Sequence, residues 1–269
     1  MVYRRVATNL ATCGRHSAPP SPQPSDGVTV RVKRGSQAIL FKGKVVLTVH
    51  ERYGKDTPEG VPGPLWPFGT SPDGRWVVYT VDPFGSASIP ADGLQLKAIR
   101  MTGGHSFALP LGLLYDDYRA WCGNRLVMTA GGDRIAVHAK RLIVTGPPGW
   151  KPHRVVSRPR MSFGSLVCDG SGVVVQGQPS STDANFFHTH WSLYRVGLDG
   201  SMARLTSPPA RYADESPKVA GGVVYFVRST HGNGELYALQ NGKVMGPLLS
   251  LGYSLGYYGH QAWPYSVTR

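Results

Sequence analysis

Four stretches of the sequence repeat one pattern, a Gly- or Asn-bearing turn that runs straight into an apolar, β-branched segment. They are Pro72-Asp73-Gly74-Arg75-Trp76-Val77-Val78-Tyr79, Trp121-Cys122-Gly123-Asn124-Arg125-Leu126-Val127-Met128, Val167-Cys168-Asp169-Gly170-Ser171-Gly172-Val173-Val174-Val175 and Val219-Ala220-Gly221-Gly222-Val223-Val224-Tyr225-Phe226. Gly and Asn tolerate positive φ, and β-branched side chains suit a pleated surface, so each copy reads as a turn into a strand. The apolar runs begin at Trp76, Leu126, Val173 and Val223, a spacing of roughly 50 residues that signals propeller blades or another repeat array. Frequent turns agree with this, since 34 of the 269 residues are Gly and 22 are Pro.

Each copy leads into a hairpin. Ile135–His138 and Arg141–Thr145 are joined by Ala139-Lys140; Leu236–Leu239 and Lys243–Met245 are joined by Gln240-Asn241-Gly242. Val28–Val32, Gln37–Phe41 and Lys44–Val49 supply the same parts upstream, which makes five units. A first, innermost strand is expected at Leu65–Thr70, Tyr115–Trp121, Arg160–Val167 and Tyr212–Val219. The first unit lacks one, and Tyr257–Val267 at the far end lacks a hairpin, so the last strand is expected to complete the first blade and remove its open edge. The expected fold is all-β, a five-bladed β-propeller closed by the C-terminal strand. A six-bladed form with degenerate first blades is the alternative.

The segment Leu193-Tyr194, Leu198-Asp199-Gly200, Arg204-Leu205-Thr206, Asp214, Pro217, Gly221-Gly222-Val223-Val224-Tyr225-Phe226 and Glu235-Leu236-Tyr237 resembles a TolB-type, WD40-like propeller repeat. Ser71-Pro72-Asp73-Gly74 is similar to that family's turn in its usual form. The match covers about one and a half blades and is weak elsewhere. What the resemblance implies is a bacterial propeller, often exported, that binds protein partners. The same repeat occurs in propellers fused to peptidases, and this chain has no Gly-x-Ser-x-Gly nucleophile elbow.

Residues 1–27 read as a flexible N-terminal tether or the remnant of an export segment, and 28–269 as the propeller domain. Leu10-Ala11-Thr12-Cys13 is similar to a bacterial lipobox, which makes Cys13 a candidate lipidation site and membrane tether. It departs from the pattern at Thr12 and lacks an apolar h-region of about 7–15 residues, so the chain holds no complete signal peptide. The expected location is the periplasm or cell surface. No apolar run approaches the roughly 20 residues of a membrane-spanning helix. Cys122 and Cys168 would pair if their strands were neighbours; two buried free thiols are the alternative. The formal charge is +13. Its densest clusters, Lys151, His153, Arg154, Arg158 and Arg160, and Arg31, Lys33 and Arg34, accompany no nucleic-acid motif, so no nucleic-acid partner is expected.

Propellers work at the channel mouth, where the innermost strands converge. The residues expected there are Trp66 and Phe68; Asp116, Asp117 and Tyr118; Arg158, Arg160 and Ser162; Tyr212, Asp214 and Glu215; and Tyr257, Tyr258 and His260. Such a set suits a polar ligand or a peptide segment. The bland alternative has the tyrosines filling gaps between blades and the carboxylates capping turns or pairing with arginines. A glycosidase would need two carboxyls about 5–10 Å apart, which Asp116 or Asp117 with Asp214 or Glu215 would supply. His188 and His190 form a His-x-His pair without an evident third ligand, so two strand-edge histidines are expected in place of a metal site. The reading is a non-catalytic, monomeric binding module of the bacterial envelope with no cofactor or metal. Its partner would be a protein or a cell-wall component. A propeller glycoside hydrolase and a basic module for an anionic polymer are the rivals.

Overall fold

The structure is a computed structural model that describes residues 3–5, 27–33, 36–50, 65–81, 93–185, 188–254 and 256–267. Strand β1 (Tyr3–Arg5) lies within the expected tether, and Cys13 lies outside the described residues. Five antiparallel sheets follow in chain order. The first holds β2 (Val28–Lys33), β3 (Ser36–Phe41) and β4 (Lys44–His50). The second holds β5 (Leu65–Thr70), β6 (Trp76–Val81), β7 (Leu94–Arg100) and β8 (Phe107–Gly112). The third holds β9 (Arg119–Cys122), β10 (Arg125–Ala130), β11 (Arg141–Thr145) and β12 (Arg154–Val156). The fourth holds β13 (Met161–Cys168), β14 (Gly172–Pro179), β15 (Ser192–Gly197) and β16 (Met202–Arg204). The fifth holds β17 (Ala213–Ala220), β18 (Val223–Thr230), β19 (Asn233–Gln240) and β20 (Lys243–Tyr253). Within each sheet, strands pair in order of sequence, as short turns require. Lys42-Gly43, Gly221-Gly222, His231-Gly232 and Asn241-Gly242 all have positive φ at both residues, the turn whose twist matches that of the flanking strands.

Strand alternation explains how the sheets stack. Val77 and Tyr79 face the first sheet and pack with Val28, Ile39 and Val46, while Trp76 and Val78 face the third and pack with Leu126, Met128 and Trp150. Val127 and Val144 turn the other way, onto Phe163, Val173 and Val175 of the fourth sheet. Val174 and Leu193 pack on Val224 and Phe226 of the fifth, whose opposite face carries Trp263 and Tyr265. Both faces of the inner strands are therefore buried, and consecutive sheets stack face to face. That is the packing of propeller blades.

Two expectations change, and one open alternative is resolved. Ile135–His138 is not a strand: β10 pairs directly with β11, and 131–140 is a loop. Asp133 Oδ1 accepts from the Ile135 amide at 2.7 Å, a local turn that competes with extension. The buried Lys140 ammonium then donates to the Ile135 and His138 carbonyls at 2.7 and 2.9 Å. The outer strand of this sheet is β12. The C-terminal segment also departs from expectation. Tyr257 and His260 exchange backbone hydrogen bonds around Tyr258 and Gly259, both at positive φ, so the chain turns there. Only β21 (Tyr265–Val267) is extended, and it pairs with β1, not with the first sheet. Finally, Cys122 and Cys168 form a disulfide that ties the end of β9 to the end of β13.

Candidate binding site at the mouth of the first strands

The first strands β5, β9, β13 and β17 begin at one end of the stack. Just before β9, Leu113, Leu114 and Tyr115 are buried, and a single 3-10 turn, Asp116–Tyr118, is closed by the Tyr118 amide on the Tyr115 carbonyl at 3.0 Å. The turn sends neighbouring carboxylates apart. Asp116 faces solvent, where the Arg119 guanidinium donates to it at 3.0 Å. Asp117 points inward, accepting from Ser165 Oγ at 2.6 Å and from His260 Nε2 at 3.1 and 3.3 Å. Burial alone would raise the Asp117 carboxyl, but the His260 ring and the Ser165 hydroxyl hold it below the usual carboxylate range. Its side chain still keeps 37% exposure, so the carboxylate is partnered and reachable together.

The imidazole is fixed on all sides. Tyr115 stacks on it with centroids 3.7 Å apart, and Tyr118 meets it edge-on at 5.3 Å. Burial beside Asp117 pushes both phenols up, which keeps them neutral. Glu215 lies behind this group with only 1% exposure. Trp263 Nε1 donates to it at 2.7 Å and Thr189 Oγ1 at 3.4 Å, yet burial pushes the carboxyl up to about 7. Asp214, next along β17, faces the other way, onto its cross-strand neighbour Arg228. That pair is bidentate, at 2.8 and 3.0 Å.

β-Bulges aim these side chains. The register slips between Pro67 and Gly69, between Phe163 and Leu166, and between Glu215 and Lys218, so three of the four first strands are irregular near their mouth ends. Gln176 Oε1 accepts from the Ser165 amide at 3.1 Å and the Ser216 amide at 3.4 Å, which ties two of the bulges together. Beside the mouth, between the second and third sheets, a recess of about 250 Å³ is walled by Phe68, Val78, Trp121 and Leu126 and rimmed by Asp116 and Arg119. The Arg119 guanidinium sits 4.0 Å over the Phe68 ring, and burial lowers it to about 10.

Of the residues expected at the mouth, the structure brings Asp117, Tyr118 and His260 into contact, with Glu215 behind them. Phe68 and Asp116 go to the adjoining recess. Tyr257 and Tyr258 meet edge-on at 4.4 Å, and Arg134 lies 5.3 Å over the Tyr258 ring. Trp66 packs against the core between the second and third sheets. Ser162 is buried and accepts from the Lys140 amide at 3.0 Å. Arg158, Arg160 and Tyr212 are exposed and touch none of this cluster in any hydrogen bond or ion pair among the described residues. His188 binds Asp183, and no group of metal-ligating side chains occurs among the described residues. Sequence reasoning missed Tyr115, Ser165, Arg119 and Trp263. Arg119 directly follows a candidate triplet, whereas nothing local marks Ser165 or Trp263.

No protein-family model matches the chain, and no curated protein matches it. Solved structures do. TolB from Acinetobacter baumannii is 14% identical over 80% of this chain and 48% of its own length, with a TM-score of 0.43. Virginiamycin B lyase from Staphylococcus aureus is 12% identical over 91% of this chain and 73% of its own, at 0.43. Pyrococcus horikoshii acylaminoacyl peptidase is 14% identical over 81% of this chain and 36% of its own, at 0.46. The chain spans about half the length of TolB and about a third of the peptidase.

Proposed function

We propose that this chain is a non-catalytic β-propeller binding module of the bacterial envelope, which takes a peptide segment of a partner protein at the mouth of its first strands. One observation carries the reading. Of the four mouth acids, Asp214 and Glu215 are sealed in the interior with both oxygens engaged, and Asp116 is tied to Arg119. Asp117 alone is both preorganised and open to solvent, beside a wall of Tyr115, Tyr118 and His260. An anionic, aromatic-walled opening suits a Lys or Arg side chain or an amino terminus. The Phe68–Trp121 recess next to it would take a neighbouring apolar side chain. A hydrolase would need its second carboxyl within reach of substrate, and Glu215 is held away from it by Trp263. The Cys122–Cys168 disulfide supports an oxidising, exported setting.

The test is fluorescence anisotropy of the full chain against a peptide panel, in which each basic peptide is paired with its Lys→Gln version and its acetylated form. The expected result is saturable binding of some basic members, lost in Asp117→Asn and kept in Arg160→Ala. Equal binding of basic and neutral peptides, or release of reducing sugar from wall glycans, would overturn it.

A further inference from the structure

The opposite end of the first strands holds a cavity of about 530 Å³ that the mouth does not use. It lies where the Ser71–Arg75 turn, the end of β7 and the β9–β10 turn come together. Its floor is the Trp76 indole, and Phe41 and the Pro147-Pro148 pair form apolar walls. Two arginines line it. Trp76 and Arg100 are direct cross-strand neighbours, and the Arg100 guanidinium sits 5.2 Å over the indole ring. No carboxylate pairs with Arg100 among the described residues. Arg75 is brought alongside because its carbonyl accepts the Met101 amide at 2.8 Å. Its side chain is 80% exposed, and its one acidic neighbour is Asp73 at 3.7 Å. Asp73 also lines the cavity, but its Oδ1 is used within the turn, by the Ser71 hydroxyl at 2.5 Å and the Arg75 amide at 3.1 Å. The Asn124 carboxamide lines the third side and makes no hydrogen bond among the described residues.

We propose that this cavity binds a small oxyanion, phosphate or carboxylate, carried on a ring-sized body. Two guanidinium groups and a carboxamide present several N–H donors, and Asp73 is the one carboxylate among the lining residues, a donor-rich pattern that a planar or tetrahedral oxyanion satisfies. The volume falls within the range of sites that enclose a small molecule and exceeds what a bare ion needs. Trp76 is itself held by Trp150, edge-on at 5.3 Å, so the indole beneath the Arg100 guanidinium is a fixed surface before the ligand arrives. The site lies at the other end of the strands from Asp117, so it is independent of the partner site at the mouth.

The experiment is isothermal titration calorimetry of the full chain with phenyl phosphate, glucuronate, inorganic phosphate and glucose. Phenyl phosphate or glucuronate is expected to saturate, and which of them binds tighter assigns the anion to a phosphate ester or to an acidic sugar. Inorganic phosphate should bind more weakly, and glucose not at all. Arg100→Ala should weaken binding by about tenfold or more, with Arg100→Lys falling between because it restores charge without the fork. Arg75→Ala and Asn124→Ala, both exposed, carry the test if Arg100→Ala fails to fold. Asp117→Asn should bind as wild type does. Saturation by none of the anions, wild-type affinity in Arg100→Ala, or loss of binding in Asp117→Asn would each overturn the proposal.

Discussion

At the start of β9 the Asp117 carboxylate is held by Ser165 from one sheet and His260 from the chain's far end, with an aromatic ring on each side of the imidazole. At the other end of β9 the Asn124 carboxamide has no partner among the described residues, and the groups around it are arginines and turn residues. The mouth end is acidic, interlocked and assembled from residues far apart in sequence. The turn end is basic, exposed and built from local contacts. The two acids buried to 1% exposure or less among the described residues, Asp214 and Glu215, both lie at the mouth end. The burial that orders the mouth makes single changes there costly for folding, whereas changes at the turn end should alter charge and leave the fold standing.

The contrast is broken most directly at Asp214. Its side chain has no exposure and is paired bidentately with Arg228. Asp214→Ala leaves a guanidinium beside an empty partner, and the expected loss is about 3–5 kcal/mol in urea unfolding. A loss under about 1 kcal/mol would mean that the mouth is not the interlocked end. The turn end has one strong element of its own, the Cys122–Cys168 disulfide, with a sequence separation of 46. Cys122→Ser with Cys168→Ser should cost up to about 4 kcal/mol by loop-closure entropy, and should lower the unfolding midpoint of the oxidised protein to that of the reduced one. If reduction leaves the midpoint unchanged, the third and fourth sheets are held together by packing alone.

Next comes the buried acid at the mouth. Burial raises the Glu215 carboxyl to about 7, against an ordinary 4.5. The folded chain therefore holds this proton more tightly than the unfolded one does. The associated stability is fully present below about pH 4.5, declines as pH rises through 7, and is flat above that, a change on the order of 3 kcal/mol. Asp117 works in the opposite sense, because its lowered carboxyl contributes stability that is lost as pH falls through its folded value. Glu215→Gln should flatten the decline between pH 4.5 and 7 and raise the melting temperature at pH 8. An unchanged slope would mean that the carboxyl is better solvated than its contacts imply.

The difference between the ends also decides what could be read from the chain. Gly221-Gly222, Asn241-Gly242 and Ser71-Pro72-Asp73-Gly74 mark their turns by local chemistry, and the five larger sheets were legible from such turns and the β-branched runs after them, whereas the β1–β21 pair was not. Ile135–His138 reads as a hairpin strand but lies in the loop at 131–140, because its backbone finds partners remote in sequence: the Ala136 amide donates to the Tyr258 carbonyl at 2.7 Å, and the Lys140 amide to Ser162 Oγ at 3.0 Å. The mouth was legible only as a neighbourhood. Asp117, Tyr118 and His260 could be placed near it, but the bulges that turn Ser165 and Ser216 toward Gln176 leave no periodic signature. The C-terminal turn at Tyr258-Gly259, which delivers His260, interrupts what reads as one continuous strand.

The smallest effect is the most discriminating, because it should separate stability from charge at the turn end. Asp73 accepts from the Ser71 hydroxyl and the Arg75 amide, and the same hydroxyl accepts from the Trp76 amide at 3.0 Å, so the turn closes through one small network. The Ser71 hydrogen bond holds the Asp73 carboxyl below the usual range. Asp73→Ala removes two hydrogen bonds at the surface and should cost about 1 kcal/mol. It also takes the one carboxylate out of the cavity that Arg75 and Arg100 line. Affinity for phenyl phosphate should then rise about twofold to threefold, a gain that vanishes in high salt because the charges are exposed. A variant slightly less stable and a better anion binder is what a locally built, basic end predicts. If affinity falls along with stability, the turn's geometry positions the arginines more than its charge opposes the ligand, and the two ends of the strands are alike in depending on fixed hydrogen bonds.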